Sequence, residues 1–180
     1  VSLLRLQASM ASNQEAAETL QSSAVRLQSI HVLYDCLNRN RSFTSLSVKE
    51  YLETLVTETR TVYGAPGIQI ESEIDDFVIS AELLSSVGLA VNELVTNAMK
   101  YAFPRGEEGV IRILAHRHDG QITITVSDNG TGLPDGFELQ NPAGLGMRLV
   151  QRLADQLNAE LAVNGIDGTC VTLTFPTEAE

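Results

Sequence analysis

The chain is predicted to be an α+β protein, a sandwich of one mixed sheet with three helices over one face, preceded by a helical hairpin. Three patterns predict it. Apolar residues recur at threes and fours over residues 15–37, the seam of a helix that packs on other helices. Short runs of period-two alternation, such as Ile122, Ile124 and Val126, mark half-buried strands. Glycine pairs, Gly130 with Gly132 and Gly144 with Gly146, stand where a strand ends and where a helix begins.

Leu3, Leu4 and Leu6 read as the tail of a helix reaching about Met10, and Ser12-Asn13 breaks it. Leu20, Ala24, Leu27, Ile30, Tyr34 and Leu37 then form the seam of a second helix. A helical hairpin with an apolar seam and no sheet of its own pairs with a second copy, so a homodimer through this hairpin is expected. The polar, basic stretch Asn38 to Ser42 is a linker, dividing the chain into a partial hairpin at 1–40 and a second domain at 41–180.

A short strand is expected around Phe43 to Leu46. Ser47 reads as an N-cap with Glu50 three residues on, and Val48, Tyr51, Leu52, Leu55 and Val56 make the buried face of a helix running to about Tyr63. Gly64 to Gly67 stops it. Ile68 and Ile70 alternate with Gln69 and Glu71 as a strand, Phe77-Val78-Ile79 reads as another, and Asp75-Asp76 is the turn between them. A helix begins near Ala81. After a turn at Pro104 to Gly109, Val110 to Ile113 and Gln121 to Ser127 form a hairpin around Asp119-Gly120, a strong turn dipeptide. His116 and His118 at its rim read as solvated polar residues. The segment Gly130 to Ala143, with three glycines, two prolines and no helical period, reads as a mobile lid. Met147, Val150, Leu153, Ala154 and Leu157 mark the last helix, and residues 160–163 and 170–175 the last strands.

A formal net charge of −11 and a pI near 4.6 argue against a nucleic-acid partner, because such proteins display a basic stripe. Cys36 and Cys170 lie far apart, and no Cys/His cluster has metal-ligand spacing, which fits a reduced cytoplasmic setting. No run of about 18 apolar residues is present, so no membrane contact is expected of this stretch. Val1 stands in mid-pattern without an initiator Met, and the chain is expected to be a fragment of a longer protein, membrane-anchored or not.

The chemistry concentrates in residues 92–103. At helical spacing Glu93, Asn97, Lys100 and Tyr101 fall on one stripe, opposite Val87, Val91, Leu94, Ala98 and Ala102. A carboxylate, a carboxamide and an ammonium on successive turns suit the polyphosphate end of a nucleotide: Asn97 offers a neutral oxygen to Mg²⁺, Lys100 offsets phosphate charge, and Glu93 takes a proton from an attacking group. The alternative for this stripe is a solvated amphipathic helix. Asp128 ends the alternating strand and opens into Gly130 and Gly132, where a buried carboxylate can accept the exocyclic amine of adenine. Gly144, Leu145 and Gly146 precede a helix whose N-terminus suits phosphate.

In this order, with Gly168-Thr169 following, the motifs resemble those of the GHKL ATP-binding superfamily, the Bergerat fold, over roughly residues 45–175. Asn92-Glu93-Leu94-Val95-Thr96-Asn97-Ala98-Met99-Lys100-Tyr101-Ala102-Phe103-Pro104, together with Gly144-Leu145-Gly146-Met147-Arg148-Leu149-Val150, is similar to sensor histidine kinases of two-component systems. Within them the resemblance is to the subgroup whose phosphoacceptor box reads His-Arg-Val-Lys-Asn-Asn. It implies ATP with Mg²⁺, Glu93 in the place of the superfamily's base, Thr169 hydrogen-bonding adenine directly or through water, and a response-regulator receiver domain as partner. It also implies a phosphoacceptor upstream of Val1. His31, followed by Val32-Leu33-Tyr34, lacks the box and reads as a seam residue bonded inside the bundle. A GHKL ATPase that drives conformational change, and an ATP-free phosphotransfer or adaptor dimer, are the competing functions.

Overall fold

The computed structural model describes residues 7, 10, 14–39, 45–63, 66–104, 107–134, 136–139 and 145–177. The elements run α1 (Gln14–Arg39), β1 (Ser45–Ser47), α2 (Val48–Tyr63), β2 (Ile68–Ile74), β3 (Val78–Ser80), α3 (Ala81–Asn97), β4 (Gly109–His118), β5 (Gln121–Asp128), α4 (Leu145–Gln156), β6 (Glu160–Asn164) and β7 (Cys170–Pro176), with a π-helical turn, Ala98–Ala102, continuing α3. The expected first helix of the hairpin lies outside the described residues except at Gln7 and Met10, which are helical.

Five strands form a mixed sheet in the order β2-β4-β5-β7-β6, parallel only between β2 and β4. The alternation expected of half-buried strands is borne out. Ile111, Ile113, Ala115, Ile122, Ile124, Val126, Val171, Leu173 and Phe175 point inward and are buried, while Thr123, Thr125, Ser127, Thr172 and Thr174 line the other face half exposed. α2, α3 and α4 cover the inner face, giving the α+β sandwich the sequence predicts. The Asp-Gly turn is as expected: Asp119 and Gly120 both take positive φ, 48° and 75°, as a two-residue hairpin of the primed type requires.

Both helix starts are capped by serine. Ser47 Oγ accepts from the Glu50 N–H at 3.1 Å, and Ser80 Oγ from the Leu83 N–H at 3.3 Å. α3 is central. Leu84, Val87, Ala90 and Val91 have no exposed surface, and each buried Leu or Val stabilises by about 1.5–3 kcal/mol relative to exposure.

Two expectations need correction. β2 and β3 do not pair with each other across Asp75-Asp76; β3 joins β1 antiparallel in a separate two-stranded sheet, and β2 pairs with β4. α3 is not packed on one side only, since Asn92, Glu93 and Thr96 are buried with its apolar residues because α1, α2 and α4 all pack against it. On α1, Ala24, Val32 and Cys36 are buried within the chain, whereas Leu27, Ile30 and Tyr34 of the expected seam are exposed.

Candidate active site

Glu93 is 4% exposed, and Asn97, one turn later on α3, is half-buried. Facing them is Gly146 in the first turn of α4. A Cβ built there would lie 2.8 Å from Glu93 Oε2, 3.4 Å from Asn97 Nδ2 and 3.5 Å from Asn97 Oδ1. Three residues from two distant stretches therefore meet, and the approach is so close that only glycine fits without displacing the carboxylate. Leu145 beside it is exposed. Gly144 lies outside the described residues, as do residues 135 and 140–143 of the expected lid.

Beyond Asn97 the helix widens. The π turn shifts the phase of Lys100 and Tyr101 relative to an α-helix, so the single stripe read from α-helical spacing does not continue past Ala98. The Lys100 ammonium stands 5.7 Å from the centre of the Tyr63 ring at the end of α2, within range of a cation–π attraction. Tyr101 is exposed, while Ala98 and Ala102 are buried as expected.

The carbonyl of Ala102, at the end of that turn, is where the Asp128 loop attaches. It accepts the Thr131 N–H at 2.9 Å, and a Cβ on Gly130 would fall 2.2 Å from it. Gly130 thus lets the loop lie directly on the helix that carries Glu93 and Asn97. Asp128 Oδ1 accepts two backbone N–H groups, from Gly130 at 2.9 Å and Thr169 at 3.1 Å. Its own N–H donates to the Thr169 carbonyl at 2.8 Å. Oδ2 takes no hydrogen bond among the described residues. The carboxylate plane is fixed from one side by β5 and the turn before β7. Gly132 packs against the Gly165 carbonyl, and Gly168 against that of Asp128.

The structure therefore joins Glu93, Asn97 and Gly146 in one cluster and Asp128, Gly130 and Thr169 in another, with Ala102 and Thr131 between them. His31 on α1 is 61% exposed within the chain, with Nε2 3.7 Å from Asp35 Oδ2. His116 contacts Asp75 at 3.3 Å and His118 contacts Asp119 at 2.9 Å, both at the surface as expected.

Sequence reasoning missed a buried polar junction one residue before Glu93. Asn92 Nδ2 donates to Ser29 Oγ of α1 at 2.8 Å, and Asn92 Oδ1 lies 2.8 Å from Thr59 Oγ1 of α2. The Tyr51 hydroxyl donates to the Ser29 carbonyl at 3.2 Å. Burial, and to a lesser degree the Cys36 thiol, pushes the Tyr51 phenol above its ordinary range. The signal was available: an Asn inside an otherwise apolar helical run needs partners for both ends of its amide.

No group of three or more His, Cys, Asp or Glu residues among the described ones is arranged to hold a metal ion. A single carboxamide near a carboxylate fits Mg²⁺ nonetheless, because that ion is usually held by one or two protein oxygens together with substrate phosphates. No helix among the described residues is long and apolar enough to cross a membrane.

Comparison with known proteins agrees with this geometry. The blue-light-activated histidine kinase 2 of Erythrobacter litoralis is 28% identical over 182 residues, covering 98% of this chain and 52% of that protein. Sensor histidine kinase PdtaS of Mycobacterium tuberculosis is 31% identical over 179 residues, covering 97% of this chain and 36% of that one. The chain thus spans about half or less of the curated relatives it matches. The solved histidine kinase domain of the Erythrobacter litoralis blue-light-activated kinase EL346 superposes with a TM-score of 0.81 at 27% identity, over 98% of this chain and 85% of that one. A histidine kinase family model matches residues 1–63 and a histidine kinase-like ATPase domain model matches residues 69–175, so the chain belongs to the histidine kinases of the GHKL superfamily.

Proposed function

We propose that the chain is the catalytic core of an ATP-dependent protein-histidine kinase in two-component signalling. The observation that carries this reading is the seating of Gly146 against both Glu93 and Asn97, with the Asp128 loop fastened to the same helix at Ala102. Two polar clusters, one on α3 and one on the loop fastened to its end at Ala102, suit a ligand with an aromatic amine at one end and phosphates at the other.

In this reading Asp128 Oδ2 accepts the adenine amine, with Thr169 beside it. Gly130 and Gly132 let backbone pass close to the ring. Asn97 would hold Mg²⁺ through its amide oxygen, and the ion would offset phosphate charge. Leu145 and Gly146 bring the N-terminal amides of α4 to the phosphates, and Lys100, Tyr101 and Gly144 are assigned to the ATP site on the sequence resemblance alone. Glu93 polarises the attacking imidazole and takes its N–H proton, while the phosphorus–oxygen bond to the leaving ADP breaks and the new phosphorus–nitrogen bond forms. Such a transfer depends on alignment and charge more than on covalent help from the protein.

The division into residues 1–40 for a dimerising hairpin and 41–180 for catalysis is part of the same proposal. So are dimerisation through that hairpin, a phosphoacceptor upstream of Val1, transfer to a receiver-domain Asp and a cytoplasmic location. Exposed Leu27, Ile30 and Tyr34 on α1 support the dimer. A version extended upstream and given γ-labelled ATP is expected to take an acid-labile, base-stable label that survives removal of His31. An acid-stable label would point to Ser or Thr and defeat the histidine assignment.

A further inference from the structure

Asn92 is 2% exposed, and a carboxamide buried that deeply is costly unless both ends are bonded. Nδ2 donates to Ser29 Oγ of α1, and Oδ1 lies 2.8 Å from the Thr59 hydroxyl of α2, whose one proton is shared with the Leu55 carbonyl, so one side chain ties three helices. Ser29 is itself 2% exposed and is held by Tyr51 through its carbonyl. Among the described residues α1 also buries Ala24, Val32 and Cys36, small or apolar groups whose packing alone tolerates a roll or slide of the helix with little change in buried area. An amide clasped between two hydroxyls does not, because its bonds are directional. Asn92 also stands immediately before Glu93 and five residues before Asn97 on the same helix, so a displacement of α1 arrives at the backbone of both.

We propose that Asn92 is a positioning residue: through its bond to Ser29, the docking of α1 sets the placement of Glu93 and Asn97 at the metal–phosphate end of the nucleotide. The assignment rests on the kinase reading above. It makes α1 a two-sided splint, with one side clasping α3 and the exposed side of Leu27, Ile30 and Tyr34 open to a partner helix.

The test is a double-mutant cycle between Ser29→Ala and Asn92→Ala in the 180-residue chain, read by titrating a fluorescent ATP analogue in magnesium and again in EDTA. Ser29→Ala is expected to weaken binding in magnesium by at least about fivefold, a typical coupling between sites. Binding in EDTA, which reports the Asp128 end, is expected to stay within about twofold of wild type. Ser29→Thr, which keeps the hydroxyl, restores the magnesium-dependent gain, and the two alanine changes are non-additive because each removes the same bond. If Ser29→Ala lowers only the melting temperature and leaves the ratio of the two affinities unmoved, the junction is merely structural and the proposal is overturned. Should Asn92→Ala fail to fold, the Ser29→Ala and Ser29→Thr pair decides the matter alone. A wild-type chain that binds no ATP analogue defeats the kinase reading and this proposal with it. Wild-type binding that Ser29→Ala leaves intact defeats this proposal only.

Discussion

A Cβ on Gly146 would stand 2.8 Å from Glu93 Oε2, so the first turn of α4 rests on the carboxylate of α3 with no space for a methyl group. Gly146→Ala is therefore expected to displace the Glu93 carboxylate, the end of a flexible side chain, and crowd the Asn97 amide. A shift of that carboxylate and amide that costs about 1 kcal/mol of binding corresponds to a loss of about fivefold in affinity for an ATP analogue. Fluorescence titration measures it, and far-ultraviolet circular dichroism should show the fold retained. Unchanged affinity would remove Gly146 from the site.

Asp128→Asn probes the other end. The substitution keeps an oxygen for the Gly130 and Thr169 N–H groups but turns an amide nitrogen toward the ligand, donor against donor. Loss of a hydrogen bond to a charged acceptor costs about 1.5–3 kcal/mol, so affinity for ATP should fall by about 10- to 100-fold by calorimetry. Adenosine binding should fall in parallel, because phosphates play no part at this end.

Asn97→Ala is expected to act only where magnesium is present. Wild-type affinity for the ATP analogue should drop on adding EDTA, and the variant should show the weaker affinity in both conditions. If the variant still tightens on adding magnesium by the wild-type factor, another group holds the metal.

Tyr51 should give the protein an alkaline limit. Its phenol, ordinarily near 10.0, is raised by burial in the folded state. Below pH about 10 the phenol is neutral in both states and its contribution is fully present. As pH rises further the unfolded phenol ionises first, and stability falls by up to about 1.4 kcal/mol per pH unit. Urea midpoints between about pH 8 and about pH 11 follow this, and Tyr51→Phe should flatten the alkaline limb while losing about 1 kcal/mol at neutral pH with the bond to Ser29. An identical alkaline slope in the variant would assign the loss to other groups.

The parts of the fold visible in the sequence are those decided by neighbours in the chain. Ser47 caps α2 through the N–H three residues on, Asp119-Gly120 turns a hairpin, and Ile122, Ile124 and Val126 alternate inward, all from local chemistry. What escaped it depends on residues far apart. Nothing near Ile68 or Val78 states that the first strand pairs with Gly109–His118 and the second with Ser45–Ser47, since both are short apolar runs bounded by turns. The π turn at Ala98–Ala102 likewise has no local marker, as Ala-Met-Lys-Tyr-Ala suits an ordinary helix. Periodicity sets Glu93 opposite the apolar side of its helix and reports only one packed side, whereas three helices surround α3.

At the candidate site the residue types were legible but their meeting was not. Glu93, Asn97, Asp128 and Gly146 stood out by chemistry and spacing. That Gly146 touches both Glu93 and Asn97, and that Ala102 receives the Asp128 loop, follows only from how α4 and the loop return to α3.

The parallel pairing of β2 with β4 has a further consequence. Parallel neighbours need a long crossover, and here the crossover is α3 itself, bearing Glu93 and Asn97. The two strands are therefore joined in the chain by the helix that bears both residues, and a nascent chain halted before Gly109 would hold that helix with no mate for its first strand.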